Sequence, residues 1–414
     1  MSAGRWDLTT ELPDLADPAL VADPYPYYAA LRAAGGLHHS ATWDAWLVTR
    51  YDLCHEVFSR PHDFDAAGQP MLRALQKGIQ GGATSWRLPS GSGLTAPDPR
   101  QRAEGRRTTG RALTRPYVDR LWDGFAAECA STASELLDRA GTGPVDVVTE
   151  YAIPMATSLL ANLMGVQPAD LSVFRAWAES GYHDDLTDAQ RGRVALDIRR
   201  LLANQAVHRL RNATDDFVGF LASNPAALPG HTSDVTAHLE FVLGTGLMIS
   251  LVTHQGLVLS FSTLLRSLIA APDQYLRLRR DRSLMASAVE EGLRYDPSTQ
   301  ALGRFARANT SLGGVDIPDG SLLVCFVGSA NRDEAQWPAA ATFDVSRDVR
   351  STARHLTFGH GATSCLGAAM SRRALGYLLE ALVERVGTIA PASGAQPFPE
   401  FMTRGFVSLP VELR

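Results

Sequence analysis

The sequence predicts a mostly α-helical fold with small, segregated β-sheets. Three observations predict it. Several long segments carry apolar residues at three- and four-residue spacing, three short runs have strand character, and one long stretch lacks charge altogether. Taken in chain order, Asp23-Pro24-Tyr25-Pro26-Tyr27-Tyr28 followed by Leu31-Arg32 predicts a first helix. Asp23 is the expected N-cap and Pro24 the first helical residue, a position where the missing N–H costs nothing. Ala45 to Thr49 reads as a strand. Residues 61–95, rich in Gly, Ser and Gln around Phe64, Met71, Trp86 and Leu88, read as a long functional loop. Helical spacing then runs over Pro116 to Arg139, Leu171 to Ser180, Ala189 to Arg211, Asp215 to Ala222 and Ser283 to Arg294. Leu322 to Val327 and Gly405 to Leu413 are the remaining strand-like runs.

The uncharged stretch runs from Phe241 to Leu265, long enough to cross a bilayer as a helix. Against a membrane span stand Thr245, Ser250, Thr253, His254, Gln255, Ser260, Ser262 and Thr263, with three glycines among them. The expectation is a central helix, within 233–271, buried inside the protein and covered on every face.

Composition bounds the function. The chain has 414 residues, 45% hydrophobic and 20% charged, with a net charge of −5, which gives no electrostatic case for nucleic acid. No linker, charge block or repeat divides it, so residues 1–414 read as one large catalytic domain. The four cysteines, Cys54, Cys129, Cys325 and Cys365, show no paired spacing, which argues against a disulfide framework or a zinc site. The N-terminus lacks the apolar core of a signal peptide. A reducing cytoplasm and no membrane association are expected.

Cys365 is the most informative residue. It lies in Phe358-Gly359-His360-Gly361-Ala362-Thr363-Ser364-Cys365-Leu366-Gly367, and a strong helical pattern follows. A thiol in a glycine-punctuated loop at a helix N-terminus is placed to lose its proton and bind a metal. Three glycines let the backbone approach a flat ligand and leave amides free to face the sulfur. The pattern reads as a haem iron ligand. Upstream, Glu291 and Arg294 in Glu290-Glu291-Gly292-Leu293-Arg294 stand at i, i+3 on one helix face.

Together these motifs resemble the cytochrome P450 superfamily, bacterial soluble type, and the resemblance covers nearly the whole chain. It implies the triangular helical haem domain of that fold, with haem b as cofactor and Cys365 as the axial thiolate. It implies that Glu291, Arg294 and Arg347 form a buried ion network. Ala96 to Arg107 is similar to the family's propionate-binding helix, where Arg102 and Arg106 replace the usual His-x-x-x-Arg pair. Two guanidiniums suit two carboxylates. Arg304, His355, Phe358, Gly359 and Gly367 fall where the family places further haem contacts. The substrate pocket is expected from Phe64, Met71, Trp86, Ile249, Val252 and Gln300, capped by residues 61–95 and covered by a lid over 167–229.

Two departures bear on mechanism. The central helix normally presents a small residue, Gly, any residue, an acid and Thr, whereas this chain reads Val252-Thr253-His254-Gln255-Gly256. The acid is Gln255 and the alcohol is Gly256, so the usual proton relay is missing. Thr253 and His254 become candidate assistants, and Gly256 leaves space for a bulky substrate at a helix position where glycine is costly. The second departure is Thr363, which stands where a basic residue usually bonds a propionate. Arg102, Arg106, Arg304 and His355 would then carry the propionates.

Four readings remain open on the sequence. The enzyme uses dioxygen, with substrate groups or water completing the relay. Alternatively peroxide supplies oxygen and electrons, or the enzyme couples or closes rings by oxidation without inserting oxygen. The last reading is a non-catalytic haem-binding sensor or carrier. The expected substrate is a bulky, aromatic or peptide-derived small molecule of specialised metabolism. No flavin or iron–sulfur module is recognisable, so dioxygen chemistry implies a separate ferredoxin and ferredoxin reductase. Arg106, Arg107, Arg111, Arg372 and Arg373 are candidates for the docking surface.

Overall fold

The computed structural model describes residues 17–66, 93–96, 98–182, 186–212, 214–224, 235–348 and 354–414. It is mostly helical with small sheets. The chain forms two compact units, each assembled from three stretches: Met1–Thr84, Leu259–Cys365 and Thr388–Ser408 in one, Ser85–Val258, Leu366–Gly387 and Leu409–Arg414 in the other.

The first unit is built on a five-stranded sheet. Its hairpin, Leu37–Ser40 with Ala45–Val48, is followed by Leu322–Cys325, Leu302–Ala306 and the short edge strand Phe64–Asp65. Leu322–Cys325 reads as an unbroken apolar run because both its faces are buried. One side packs Tyr28, Trp43, Phe326 and Phe401, and the other Phe58, Phe64, Leu312 and Leu356. The helix Tyr25–Ala33 starts one residue later than the sequence predicts. Pro24 takes the cap position, and Asp23 accepts the Tyr25 N–H from one place further back, at 3.3 Å. The helix Met285–Tyr295, entered through the 3-10 turn Arg282–Leu284, carries the Glu-x-x-Arg motif.

The second unit is helical. Pro116–Ala140 packs against Ala368–Arg385 and Ile153–Met164, with the rings of Trp122 and Phe125 5.9 and 6.3 Å from that of Tyr377. Leu171–Glu179, Asp188–Arg211 and Phe217–Ala222 lie where helical spacing predicts them. Their ends are chemically fixed: Thr187 and Gln190 form a capping box, and Asp216 accepts the Gly219 N–H while pairing with buried Arg209 at 3.0 Å. Asp98 caps Pro99–Ala112 by accepting from Arg100 N–H at 2.9 Å. That helix crosses Gly93 so closely that a Cβ on Gly105 would lie 2.7 Å from the Gly93 backbone.

The uncharged stretch is one helix, Val235–Ala270, matching the expected central helix to within two residues. It is long and apolar enough to cross a membrane. It also buries Thr245, Ser250, His254, Ser260, Ser262 and Thr263 within the protein. Ser260 and Ser262 bond Ser298 Oγ at 2.8 Å and the Phe406 N–H at 3.0 Å.

Candidate active site

The cysteine loop is shaped by its glycines. Gly359 and Gly361 have φ of +67° and +69°, open to glycine without strain. A Cβ on Gly361 would also press to 3.0 Å on the Phe58 carbonyl. The loop then closes on itself: Cys365 N–H donates to the Phe358 carbonyl at 2.8 Å, Gly359 N–H to Leu356 at 2.8 Å and Ser364 N–H to Gly361 at 3.1 Å. His360 lies on His55, ring centroids 4.2 Å apart, which ties the loop to the helix Tyr51–Ser59.

The consequence falls on the thiol. Cys54, Cys129 and Cys325 are buried, whereas Cys365 is exposed. Burial pushes the Cys129 thiol up to about 12 and Cys54 well above its ordinary value. Those two sulfurs are therefore poor thiolates.

Arg304 reaches the loop from the strand Leu302–Ala306. Its guanidinium lies 4.7 Å over the Phe58 ring and donates to the Gly303 carbonyl at 2.8 Å and to Thr363 Oγ1 at 2.9 Å. Thr363 therefore accepts from a cation where the resemblance expects a base, and the positive charge comes from the neighbouring strand.

His355, which the resemblance places on a propionate, has its Nε2 3.0 Å from Glu290 Oε2, with both side chains buried. Glu290 precedes Glu291 in the quoted motif, and nothing in the spacing separates the role of one carboxylate from the other. Phe358 is 5.9 Å from the His355 ring.

Behind the loop, Glu291 and Arg294 have no exposed side-chain surface and meet through two bonds of 2.7 and 2.8 Å. Arg347 adds a third contact to Glu291 at 3.1 Å. Arg294 also donates to the carbonyls of Asn331, Ala340 and Thr342, and Arg347 to those of Pro338, Ala339 and Thr342. The network thus pins an irregular segment to the helix Met285–Tyr295.

Two expected pocket residues belong to the core. Gln300 is fully buried, its amide donating to the Pro297 carbonyl at 2.7 Å and accepting from the Tyr28 hydroxyl at 3.1 Å. Phe64 packs beside Phe58 and Leu312, under the Arg60 guanidinium at 5.0 Å. Their polar bonding and aromatic packing were invisible in the sequence. Met71 and Trp86 lie outside the described residues, as does most of the 61–95 loop.

In the helical unit, Arg102 and Arg106 stand one turn apart on Pro99–Ala112. Arg102 is buried and donates to the Ala96 carbonyl at 2.7 Å, while Arg106 is half-buried. Arg107 and Arg111 are exposed on the same helix, and Arg373 lies 4.9 Å over the Trp122 ring. On the central helix Ile249, Thr253, Gln255 and Gly256 are half-buried, and Val252 is 41% exposed. A Cβ on Gly256 would meet nothing within 4 Å.

His254 is not placed as an acid. It is buried, with Nε2 3.0 Å from Thr157 Oγ1 and Nδ1 3.0 Å from the Tyr182 hydroxyl. Burial pushes its pKa down to about 4, so the ring is neutral near pH 7. Trp177, Ala178, Gly181, Tyr182, Leu251 and Gln255 line a small cavity beside it. No sequence signal marks Thr157 or Tyr182 as its partners.

These features fit a haem. The donor set is an exposed thiol in a loop that positive-φ glycines turn outward, with an arginine anchored to that same loop. Among the described residues no cluster of three metal-ligating side chains competes with it. Cys365 would hold the iron, and Arg304, bonded to the same loop, would place a cation beside a propionate.

Comparison with known proteins agrees. A family model described as Cytochrome P450 matches residues 274–413. Cytochrome P450 monooxygenase PikC of Streptomyces venezuelae is 28% identical, over 95% of this chain and 92% of its own. The 6-deoxyerythronolide B hydroxylase of Saccharopolyspora erythraea is also 28% identical, over 98% and 99%. Among solved structures, CalO2 superposes with a TM-score of 0.79 at 25% identity, covering 97% of this chain and 98% of its own. Cytochrome P450 CYP109Q5 from Chondromyces apiculatus shares the fold at a TM-score of 0.80 and 24% identity, with the same coverage.

Proposed function

The chain belongs to the cytochrome P450 family and is an oxidoreductase of that kind, and from that premise we propose that it binds haem b through Cys365 and hydroxylates a bulky small molecule of specialised metabolism in the cytoplasm. The observation that carries the reading is the outward-turned Cys365, alone exposed among the four cysteines, in a loop braced by Arg304. The open space at Gly256 and the exposed Val252 support a large substrate. So does the relative named for hydroxylating 6-deoxyerythronolide B.

When bound, haem supplies the oxidising chemistry. The protein's own contribution is positional. The loop amides of Gly359, Ser364 and Cys365 are spent on carbonyls that fix its shape, so the N-terminus of the following helix is the dipole that would favour a Cys365 thiolate. Arg304, bonded to Thr363, would set a positive charge beside a propionate carboxylate. Gln255 and Gly256 carry no acid and no hydroxyl, and His254 is neutral with both nitrogens engaged. This turn therefore supplies no carboxylic acid, and substrate groups or water complete the proton relay, with the Thr253 hydroxyl as the one side chain of the turn that can assist.

That same observation favours a second reading, in which hydrogen peroxide is the oxidant and brings its own protons. With dioxygen, a separate ferredoxin and reductase deliver the electrons.

The test is the carbon monoxide complex of the reduced protein. A strongly red-shifted, thiolate-type Soret band is expected, lost in Cys365→Ser. A band typical of histidine or neutral-thiol ligation would overturn the assignment. Product formation with peroxide alone, against formation only with a ferredoxin system, separates the two oxidants.

A further inference from the structure

The hydrogen bonds around His254 have a direction. Thr157 donates its own proton to the Ile153 carbonyl at 2.8 Å, so its oxygen presents a lone pair to His254 Nε2 at 3.0 Å. Nε2 therefore carries the imidazole proton. Nδ1 is then an acceptor, and the Tyr182 hydroxyl, 3.0 Å away, must be its donor. From Tyr182 through His254 and Thr157 to Ile153, each proton has one acceptor. The chain joins three elements of the helical unit: the turn Ser180–Tyr182, the central helix and the helix Ile153–Met164.

His254 is also the anchor of its own turn. The side chains of Thr253 and Gln255 make no hydrogen bond among the described residues, and Gly256 has neither a side chain nor any neighbour where its Cβ would be. A helical turn containing glycine is intrinsically weak. The polar bonds that fix this one run through the imidazole.

We propose that Tyr182 is a positioning residue for the oxidation, acting through His254 to hold the central-helix turn Thr253–Gly256 in the orientation that shapes the substrate space. The inference rests on the reading of that turn as a wall of the substrate space. Tyr182 does not touch the reacting atoms in this scheme. Its hydroxyl fixes the tautomer and ring plane of His254, and the ring fixes the backbone that carries Gln255 and Gly256. Tyr182, His254 and Gln255 line one small cavity, so the hydroxyl and the turn it steadies are neighbours.

Tyr182→Phe tests this in the full-length, haem-loaded protein, since it keeps the ring and its packing on His254, now 5.6 Å between centroids. Amide hydrogen exchange over residues 250–258 should quicken by about tenfold, the scale set by leaving a buried acceptor without its donor, with the cysteine loop unchanged. In a His254→Gln background the same change should have no further effect. Unchanged exchange, or an undiminished effect without His254, overturns the proposal. Thr157→Val, which cuts the other end of the chain, gives the same readout if Tyr182→Phe does not accumulate as folded protein.

A second measurement separates this from the underlying reading. 4-Phenylimidazole, whose ring must occupy space above the haem, should bind Tyr182→Phe severalfold more weakly, and plain imidazole should bind it as before. Faster exchange with both affinities unchanged would leave Tyr182 positioning the turn, and would overturn the assignment of that turn to the substrate wall.

Discussion

Arg294 delivers two donors to Glu291, at 2.7 and 2.8 Å, at a depth where neither side chain retains any exposed surface. A buried pair of this kind is costly to break because either charge left alone is stranded without solvent. Here the arginine also satisfies three backbone carbonyls, so it is a structural clasp as much as an ion pair.

Arg294→Lys should therefore be destabilising despite keeping the charge, because one ammonium cannot span a carboxylate and three carbonyls. A loss of about 3–5 kcal/mol is expected. Denaturant unfolding of the haem-loaded protein measures it, and a loss below about 1 kcal/mol would mean that charge, rather than the planar fork, is what this site requires.

Stability should fall in acid through His254. Its folded pKa is about 4, while an unfolded histidine titrates near its ordinary value of 6.5. Between those values the unfolded chain binds the extra proton, so lowering the pH favours unfolding. The contribution is complete above pH 6.5 and is lost progressively down to pH 4, amounting to about 3 kcal/mol. His360, also lowered by partial burial and by the nearby His55 and Arg354, acts in the same direction. Comparing wild type with His254→Gln across pH 4–7 isolates the His254 part, and parallel curves would contradict its buried, neutral state.

Gly256→Ala should stabilise the protein while impairing its chemistry. An added methyl meets nothing within 4 Å and gains about 1 kcal/mol of helix propensity. If the open space belongs to the substrate, the same methyl weakens the spin-state response to any ligand that wild type binds. A raised melting temperature with an unchanged ligand response would show that the glycine serves no substrate.

Arg107 is exposed on the helix that carries Arg102 and Arg106. Arg107→Glu should slow reduction by an acidic ferredoxin about tenfold at low salt, with the difference shrinking as salt screens it. Stopped-flow reduction under carbon monoxide reads it directly, and an unchanged rate would place the docking surface elsewhere.

Much of this was legible before any coordinates. Glycines around Cys365 announced a loop that only positive φ permits, and Gly359 and Gly361 adopt it. The uncharged run from Phe241 to Leu265 announced a long, largely buried helix, although its face at Val252 is open where full cover was expected. The loop–thiol–helix arrangement follows from local rules, and local rules act between residues close in sequence.

Side-chain partnership across the fold was not legible. Nothing near Gln300 says that Tyr28 and the Pro297 carbonyl would consume its amide, so a core residue passed for a pocket residue. Nothing near His355 says that its Nε2 would meet Glu290 Oε2 at 3.0 Å. His254 was a candidate assistant to the proton relay until Thr157 and Tyr182 closed on both of its nitrogens.

The sequence by itself determined the helices, the shape of the cysteine loop and the absence of an acid and a hydroxyl at Gln255 and Gly256, since periodicity, turn chemistry and residue type are written locally. Only the tertiary structure decided which polar groups are already satisfied. A hydrogen bond is set by distance and direction between atoms, and chain separation carries neither. Tyr182 and His254 are 72 positions apart, and their 3.0 Å contact exists only once the helices have packed.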